Sequence, residues 1–225
     1  KEWDKYRLND ICEIKPPKRE AKELLSEDDL ISFIPMADLG EEEKYVFPKQ
    51  EKKLKEVTSS YTYFRNDDVL LAKITPCFEN GKLGIAKNLK NKIGFGSSEF
   101  IVYRPKTDIL NPEFLYYFLF QPSFRAIGVK KMQGAVGHKR IPKDFYENYF
   151  ISIPPLTEQK QLVALLDKAF AAIDKAKANI EKNIENAREL FQSKLDEVFG
   201  EKGEGWRDAR FGDVCGFVRG PFGGS

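Results

Sequence analysis

Apolar side chains between residues 154 and 200 recur at the period of an α-helix. Two prolines open this stretch, Thr157 follows as a candidate N-cap, and Glu158 places an acid in the first turn. No further proline or glycine occurs before Gly200. The pattern predicts one helix within residues 154–200, of about 43 residues and about 64 Å, with a single apolar stripe. The stripe consists of Leu162, Leu166, Ala169, Ile173, Ala176, Ile180, Ile184, Ala187, Phe191, Leu195 and Val198.

A long helix with one apolar face and polar residues elsewhere requires a partner helix. Small side chains at Ala169, Ala176 and Ala187 allow a partner to approach closely. The partner is either an equivalent helix later in a longer protein or the same helix of a second copy, so we expect a coiled coil and, in the second case, a homodimer. A surface helix folded back on its own domain is the alternative. The expected helix-pairing residues are Leu162, Leu166, Ile173, Ile180, Ile184, Phe191 and Leu195.

Residues 1–153 have the pattern of an α+β (mixed α/β) domain with a small twisted sheet. Strand-like runs rich in Ile, Val, Leu or Phe lie at residues 30–35, 68–74, 82–86 and 98–104. Asn111 as N-cap, Pro112 at the first helical position and Glu113 in the first turn predict a helix, whose apolar run makes it part of the core. Prolines near the strand ends favour irregular edges over a closed barrel.

A short motif near the start of the chain recurs 203 residues later. The motif residues Trp3, Arg7, Leu8, Asp10, Ile11 and Cys12 correspond to Trp206, Arg210, Phe211, Asp213, Val214 and Cys215. The chain has only two Trp and three Cys, and both Trp and two of the Cys fall on matching positions. Residues 201–225 are therefore expected to be the truncated start of a second repeat, after a mixed α/β domain at 1–153 and a long helix at 154–200.

Length and composition bound the function. With 225 residues, 41% hydrophobic and 32% charged, the chain can form one or two packed domains. Its apolar runs are too short to cross a bilayer, and no secretory signal opens it, so we expect a cytoplasmic protein with no membrane partner. The net charge of +2 hides an uneven distribution, because residues 51–156 hold 17 Lys and Arg against 10 Asp and Glu.

Candidate catalytic chemistry is sparse. Three widely spaced cysteines and one histidine predict neither a disulfide framework nor a metal site. Cys77 and His138 could form a nucleophile and its base, but no motif positions Cys77. No phosphate-binding loop, dinucleotide-binding motif or hydrolase motif occurs. A familiar enzyme is therefore not expected, although a cysteine hydrolase, or part of a fused enzyme whose catalytic domain lies elsewhere, remains an alternative.

The binding signal is stronger and lies in two basic loops. Residues 130–143 contain five Lys and Arg, the only histidine, two glycines and no acid, a composition suited to a polyanion. Residues 73–82 form a second candidate surface whose side chains can pair with bases or phosphates. Ordinary solvated charge is the alternative for both loops. The candidate DNA-binding residues are Lys73, Thr75, Asn80, Lys82, Lys130, Lys131, Gln133, Gly134, His138, Lys139 and Arg140.

Taken together, the repeat, the mixed domain and the long helix resemble the specificity subunit of type I restriction-modification enzymes. Residues 153–163, with the sequence I-P-P-L-T-E-Q-K-Q-L-V, match the hinge between the recognition domain and the spacer helix in that family. Further matches are the opening motif at Trp3, the D-D-V-L-L-A run at 67–72 and the S-E-F-I-V run at 98–102. The resemblance covers essentially the whole chain, and one departure from the family is that a second recognition domain is missing.

The resemblance implies a non-catalytic reader of double-stranded DNA. In that family each recognition domain reads one half of a bipartite target, the long helices set the gap between the halves, and methyltransferase subunits dock on these helices. Restriction subunits join the complex, and S-adenosylmethionine, ATP and Mg²⁺ are expected on the partner subunits, with no cofactor on this chain. The alternative is a coiled-coil adaptor whose α/β head binds protein.

Overall fold

The computed structural model describes residues 3–201 and 203–216. The chain divides into two compact units, Lys1–Lys168, which we call the head, and Ala169–Ser225. The described strands are β1 (Asp4–Arg7), β2 (Cys12–Ile14), β3 (Leu30–Ile34), β4 (Tyr45–Val46), β5 (Gln50–Lys53), β6 (Thr62–Arg65), β7 (Val69–Ala72), β8 (Leu83–Ala86), β9 (Ile93–Gly96), β10 (Phe100–Pro105) and β11 (Phe150–Ile153). The described helices are α1 (Leu8–Ile11), α2 (Arg19–Leu24), α3 (Leu54–Val57), α4 (Pro112–Phe120), α5 (Pro122–Lys131), α6 (Lys143–Asn148), α7 (Leu156–Gly200) and α8 (Phe211–Val214), with 3-10 turns at Met36–Asp38 and Lys90–Lys92.

The strands of the head form three sheets. A five-stranded sheet has the order β2-β10-β7-β8-β4 and is antiparallel except for the β4–β8 pair. A four-stranded sheet has the order β5-β3-β9-β6, in which β3 and β9 are parallel. The third sheet pairs β1 with β11, so the opening strand lies against the strand that precedes α7.

The core is layered because the five-stranded sheet is buried on both faces. Val69 and Leu71 of β7 belong to the cluster formed with helices α1, α4, α5 and α6. Leu70 and Ala72, the alternate residues, belong to a second cluster that includes Ile34 of the four-stranded sheet. Burial on both faces explains why β7 is a continuous apolar run. A third cluster joins the four-stranded sheet to residues of α2 and α3.

Two glycines in β9 are required by close packing against the neighbouring strands β6 and β3 of the same sheet. A Cβ at Gly94 would lie 2.2 Å from the ring of Phe64, and a Cβ at Gly96 would lie 2.4 Å from the carbonyl oxygen of Ile34. Any larger residue would push these groups apart. The Gly-Phe-Gly pattern is therefore a packing feature of a strand rather than a ligand-binding loop.

The α+β fold class is confirmed, and the four predicted strand runs coincide with β3, β7, β8 and β10. They lie in two of the sheets, with β7, β8 and β10 in the five-stranded sheet and β3 in the four-stranded sheet. The predicted cap is also confirmed, since Asn111 Oδ1 accepts hydrogen bonds at 2.9 Å from the backbone N–H groups of Glu113 and Phe114. Thr157 is not the N-cap of α7, because the helix begins one residue earlier, at Leu156.

The long helix α7 has 45 residues and begins in the head. Leu162 is partly buried against the head core, whereas most of the predicted stripe is exposed. Ile173, Ile180, Ile184 and Phe191 are between 49 and 66% exposed, and Leu195 is half-buried. No helix within residues 3–201 and 203–216 is long and apolar enough to cross a membrane.

The sequence repeat reappears as a repeated local structure. Helices α1 and α8 each have four residues, and the backbone before them has φ/ψ of −83/150° at Arg7 and −80/146° at Arg210. Their environments differ, because Leu8 is fully buried in the head while the matching Phe211 is 77% exposed. The motif therefore adopts the same turn with and without a core around it.

Candidate nucleic-acid interface

The two basic loops predicted separately from the sequence lie side by side. The backbone N–H of Thr75 donates to the carbonyl oxygen of Lys139 at 2.9 Å, and that of Ile141 donates to the carbonyl oxygen of Lys73 at 3.0 Å. Ile74 and Arg140 form an antiparallel β-bridge. These contacts join residues 73–82 and 130–140 into one surface, which we call the basic surface.

The segment between Gln133 and Arg140 is a closed loop. The N–H of each residue donates to the carbonyl oxygen of the other, at 2.9 and 2.8 Å, and His138 N–H donates to Ala135 at 3.0 Å. Gly134 has φ +122°, a conformation that side-chain-bearing residues rarely adopt. All residues from Gln133 to Arg140 are exposed, so the loop presents its tip to solvent on a fixed base.

Arg140 is held by a carboxylate at the base of this loop. Its Nε donates to Glu99 Oε2 at 2.9 Å, its Nη2 donates to Glu99 Oε1 at 2.8 Å, and its Nη1 donates to the carbonyl oxygen of His138 at 3.1 Å. The hydrogen bonds from Arg140 hold the pKa of Glu99 below its ordinary value, against the opposing effect of burial. Two-point contact of this kind fixes the plane of the guanidinium.

Lys73 belongs to the same cluster. Its Nζ donates to the carbonyl oxygen of Ser98 at 2.7 Å and lies 3.7 Å from Glu99 Oε2. Burial lowers the pKa of Lys73, and the nearby charge of Lys15 lowers it further. Sequence reasoning named neither Glu99 nor Lys15 as a site residue. Glu99 could have been noticed in the sequence because it is the only acidic residue between Lys92 and Arg104.

The side chains of three other predicted residues form hydrogen bonds within the head. Lys82 Nζ donates to the carbonyl oxygens of Met36 and Leu39 at 3.1 and 3.0 Å. Thr75 donates to Glu79 at 2.6 Å, and the Asn80 side chain donates to Glu41 at 3.2 Å. Their first role is therefore to shape the loop of residues 73–82, and DNA would have to compete for their polar groups. The remaining predicted residues are all exposed to solvent. They are Lys130, Lys131, Gln133, Gly134, His138 and Lys139.

Lys130 and Lys131 lie at the end of α5. A helix C-terminus favours positive charge, so these lysines are stable there without an acidic partner. Neither they nor Lys139 forms an ion pair with any residue in the part of the chain that the structure describes. The basic surface thus combines fixed cations with cations available to an incoming anion.

A second polar cluster lines a cleft of about 810 Å³ on the head. Arg104 contacts both oxygens of the buried Asp68 at 2.9 Å and donates to Glu20 at 2.8 Å. Because Asp68 and Glu20 together engage all three guanidinium nitrogens, we assign Arg104 to holding the head together. Among residues 3–201 and 203–216, no group of three or more His, Cys, Asp and Glu side chains could hold a metal ion. Cys77 packs against the core between the two larger sheets.

Comparison with known proteins identifies the family. Residues 1–186 match the family described as the type I restriction modification DNA specificity domain. The chain is 36% identical over 194 residues to the type I restriction enzyme EcoAI specificity subunit of Escherichia coli, which covers 86% of this chain and 32% of the relative. The chain thus spans about a third of the length of that relative.

Two solved structures share the fold. One comes from work on complex assembly and conformational transition of the type I R-M system, with a TM-score of 0.76 and 21% identity over 95% of this chain and 54% of the other. The second is the HsdS subunit from Thermoanaerobacter tengcongensis, with a TM-score of 0.68 and 20% identity over 94% of this chain and 54% of the other. With its sequence match over residues 1–186, the chain belongs to the type I restriction modification DNA specificity domain family.

Proposed function

We propose that this chain reads one half of a bipartite double-stranded DNA target as part of a type I restriction-modification specificity subunit. The observation that carries the proposal is the basic surface, where two loops distant in sequence are joined by backbone hydrogen bonds. Membership of a DNA specificity family supports it. A surface that joins fixed and free cations suits a ligand with a regular array of phosphates beside base edges.

The roles of the exposed residues follow from their chemistry. Lys130, Lys131 and Lys139 neutralise phosphates and set the position of the head on the duplex. Gln133 and Arg140, at the base of the closed loop, are the candidates for base edges in a major groove about 12 Å wide. His138 and Gly134 lie in the loop between them, where Gly134 lets the backbone turn.

Assembly with partners is the second part of the proposal. The exposed stripe of α7 pairs with another such helix, from a second repeat or a second copy, and methyltransferase subunits dock on the paired helices. Restriction subunits join through that complex. Methyl transfer and cleavage, with S-adenosylmethionine, ATP and Mg²⁺, belong to those partners. The proposed location is the bacterial cytoplasm, where the target DNA lies.

Selection from a random-sequence duplex pool tests this function. The chain is mixed with its methyltransferase subunit, and selection is repeated at two salt concentrations. We expect enrichment of a short motif at both salt concentrations. An inverted pair of motifs at fixed spacing would also support pairing through α7.

A different result would contradict the proposal. If no motif is enriched and binding disappears at the higher salt concentration, the basic surface carries only solvated charge. The function would then lie in the exposed helix, as in a coiled-coil adaptor whose head binds protein.

A further inference from the structure

The guanidinium of Arg140 has two donors left after its contacts within the head. An arginine side chain carries five N–H groups. Glu99 uses the Nε–H and one N–H of Nη2, and the carbonyl oxygen of His138 uses one N–H of Nη1. One N–H on Nη1 and one on Nη2 remain, and the Nη2 donor points away from Glu99, toward the end of the guanidinium.

This end of the side chain is accessible and its position is fixed. The Arg140 side chain is 45% exposed, whereas that of Glu99 is 23% exposed. The Arg140 backbone forms hydrogen bonds with that of Gln133 on one side and a β-bridge with Ile74 on the other. A side chain anchored at its backbone and held at Nε loses little conformational freedom when it binds, which favours a contact that depends on geometry.

We propose that Arg140 reads a guanine in the target and that Glu99 is the positioning residue that aims it. The remaining donors lie on Nη1 and Nη2, adjacent nitrogens of one planar guanidinium, and this pair of nitrogens is the group with which arginine contacts O6 and N7 of guanine in the major groove. Lys73, which donates to Ser98 and lies beside Glu99, steadies the carboxylate. The inference rests on the proposed DNA-reading function and adds to it the base and the pair of side chains that recognise it.

A DNA phosphate presents the same chemistry of two adjacent acceptors. The charges around Arg140 favour the guanine edge over a phosphate. A phosphate contact needs charge and little orientation, and Lys130, Lys131 and Lys139 already supply exposed charge nearby. A carboxylate beside Arg140 reduces the net charge offered to a phosphate while it fixes the plane of the donors. This arrangement weakens phosphate attraction and strengthens base selection.

Chemically altered duplexes test the proposal. The chain with its methyltransferase subunit first selects a motif, and each guanine of that motif is then replaced by 7-deazaguanine, which lacks the N7 acceptor. At one guanine we expect binding to weaken several-fold, because one of the two hydrogen bonds of the base contact is lost. In Arg140→Ala the same replacement should have no effect, because the reading side chain is gone.

Glu99→Gln separates positioning from folding. We expect it to reduce the preference for guanine at that position several-fold and to strengthen binding to unrelated duplex slightly, because a negative charge is removed from the basic surface. In the Arg140→Ala background it should have no further effect on base preference, whereas a purely structural role of Glu99 would still alter binding. Arg19→Ala and Glu23→Gln, which break an exposed Arg–Glu pair on α2, are the matched controls and should change nothing. If Glu99→Gln fails to fold, Arg140→Lys, which keeps the charge without the paired donors, tests the same preference.

Other outcomes overturn the proposal in distinguishable ways. If Arg140→Ala weakens binding to all sequences equally and lowers the salt slope by about one, Arg140 holds a phosphate. A selected motif without guanine, or a guanine preference unchanged in Arg140→Ala, rejects the inference and leaves the DNA-reading function intact. If the unaltered chain enriches no motif, the proposed function fails and the inference fails with it.

Discussion

The backbone N–H of Asn111 donates a hydrogen bond of 2.8 Å to Oε1 of Gln159. Asn111 is the N-cap of α4, and Gln159 lies in the first turns of α7. The amide nitrogen of Gln159 donates to the carbonyl oxygens of Ile109 and Pro154, each at 2.8 Å. One fully buried side chain therefore ties the beginnings of two helices to the end of β11.

Replacing Gln159 by alanine should destabilise the head. The change leaves an N–H and two carbonyl groups without their partner in a buried region, which predicts a loss of about 3 kcal/mol in the free energy of unfolding. Urea unfolding followed by circular dichroism measures it. Gln161→Ala, an exposed position in the same helical turn, is the control and should cost little. Equal stabilities for the two variants would mean that this joint adds nothing to the fold.

Acid should weaken the Arg140–Glu99 contact. Because the pKa of Glu99 in the folded chain lies below its ordinary value of 4.5, the contact stabilises the head at pH values above about 4.5 and loses this effect as the pH falls below it. Unfolding free energies measured from pH 6 to pH 3 should fall more steeply for the wild type than for Glu99→Gln. Parallel curves would show that Glu99 titrates alike in the folded and unfolded states.

The paired lysines at the end of α5 should act on affinity without acting on sequence preference. The double variant Lys130→Ala, Lys131→Ala is expected to lower the slope of log affinity against log salt concentration by up to about two. The selected motif should stay the same. Binding titrations at four salt concentrations provide the measurement, with Lys22→Ala on α2 as the control. A changed motif would assign base contacts to these lysines.

Charges on the stripe of α7 should separate paired helices. Ile180 and Ile184 are both about half-exposed, and pairing would bury them, so Ile180→Asp with Ile184→Asp is expected to convert a dimer to a monomer. Sedimentation equilibrium gives the mass directly. Lys182→Glu makes the same change in net charge about 180° around the helix and should leave the dimer intact. A wild-type chain that stays monomeric at high concentration would argue against self-pairing.

The three cysteines should react at very different rates. Burial raises the pKa of Cys12 to about 12, so its thiol is both inaccessible and protonated, whereas Cys215 is exposed. Titration with a thiol reagent should give one fast phase, which Cys215→Ser removes, and Cys12 should react only after unfolding. A fast phase that survives in Cys215→Ser and labels Cys77 would support the hydrolase alternative.

The sequence predicts those elements whose signal lies within a few neighbouring residues. The period of the α7 stripe, the cap at Asn111 and the apolar runs of β7 and β10 each follow from a few neighbouring residues. Strand β5 lacks such a signal because all four residues of Gln50–Lys53 are polar. Strand β6 offers only two core residues, Tyr63 and Phe64, which is too short a run to define a strand by itself. Their positions are set by pairing with β3 and β9, which the sequence alone does not specify.

The candidate site was predictable in composition and not in arrangement. An acid-free basic segment indicates an anion-binding surface wherever it lies in a fold. Nothing in the sequence joins Arg140 to Glu99, which is 41 residues away, because their contact depends on the bridge between Arg140 and Ile74. The burial of Gln159 is equally non-local, since a glutamine at the start of a helix has the pattern of a surface residue.

The pairing of β1 with β11 limits how early the head can finish folding during synthesis. Asp4 lies opposite Ile153, so the opening strand finds its partner only after about 150 further residues have been synthesised. At typical translation rates of 5–20 residues per second, that interval is on the order of ten seconds or more. During it Leu8 and Ile11, buried in the finished head, have no complete core to enter. These two side chains therefore reach their final buried positions only after residue 153 has been synthesised.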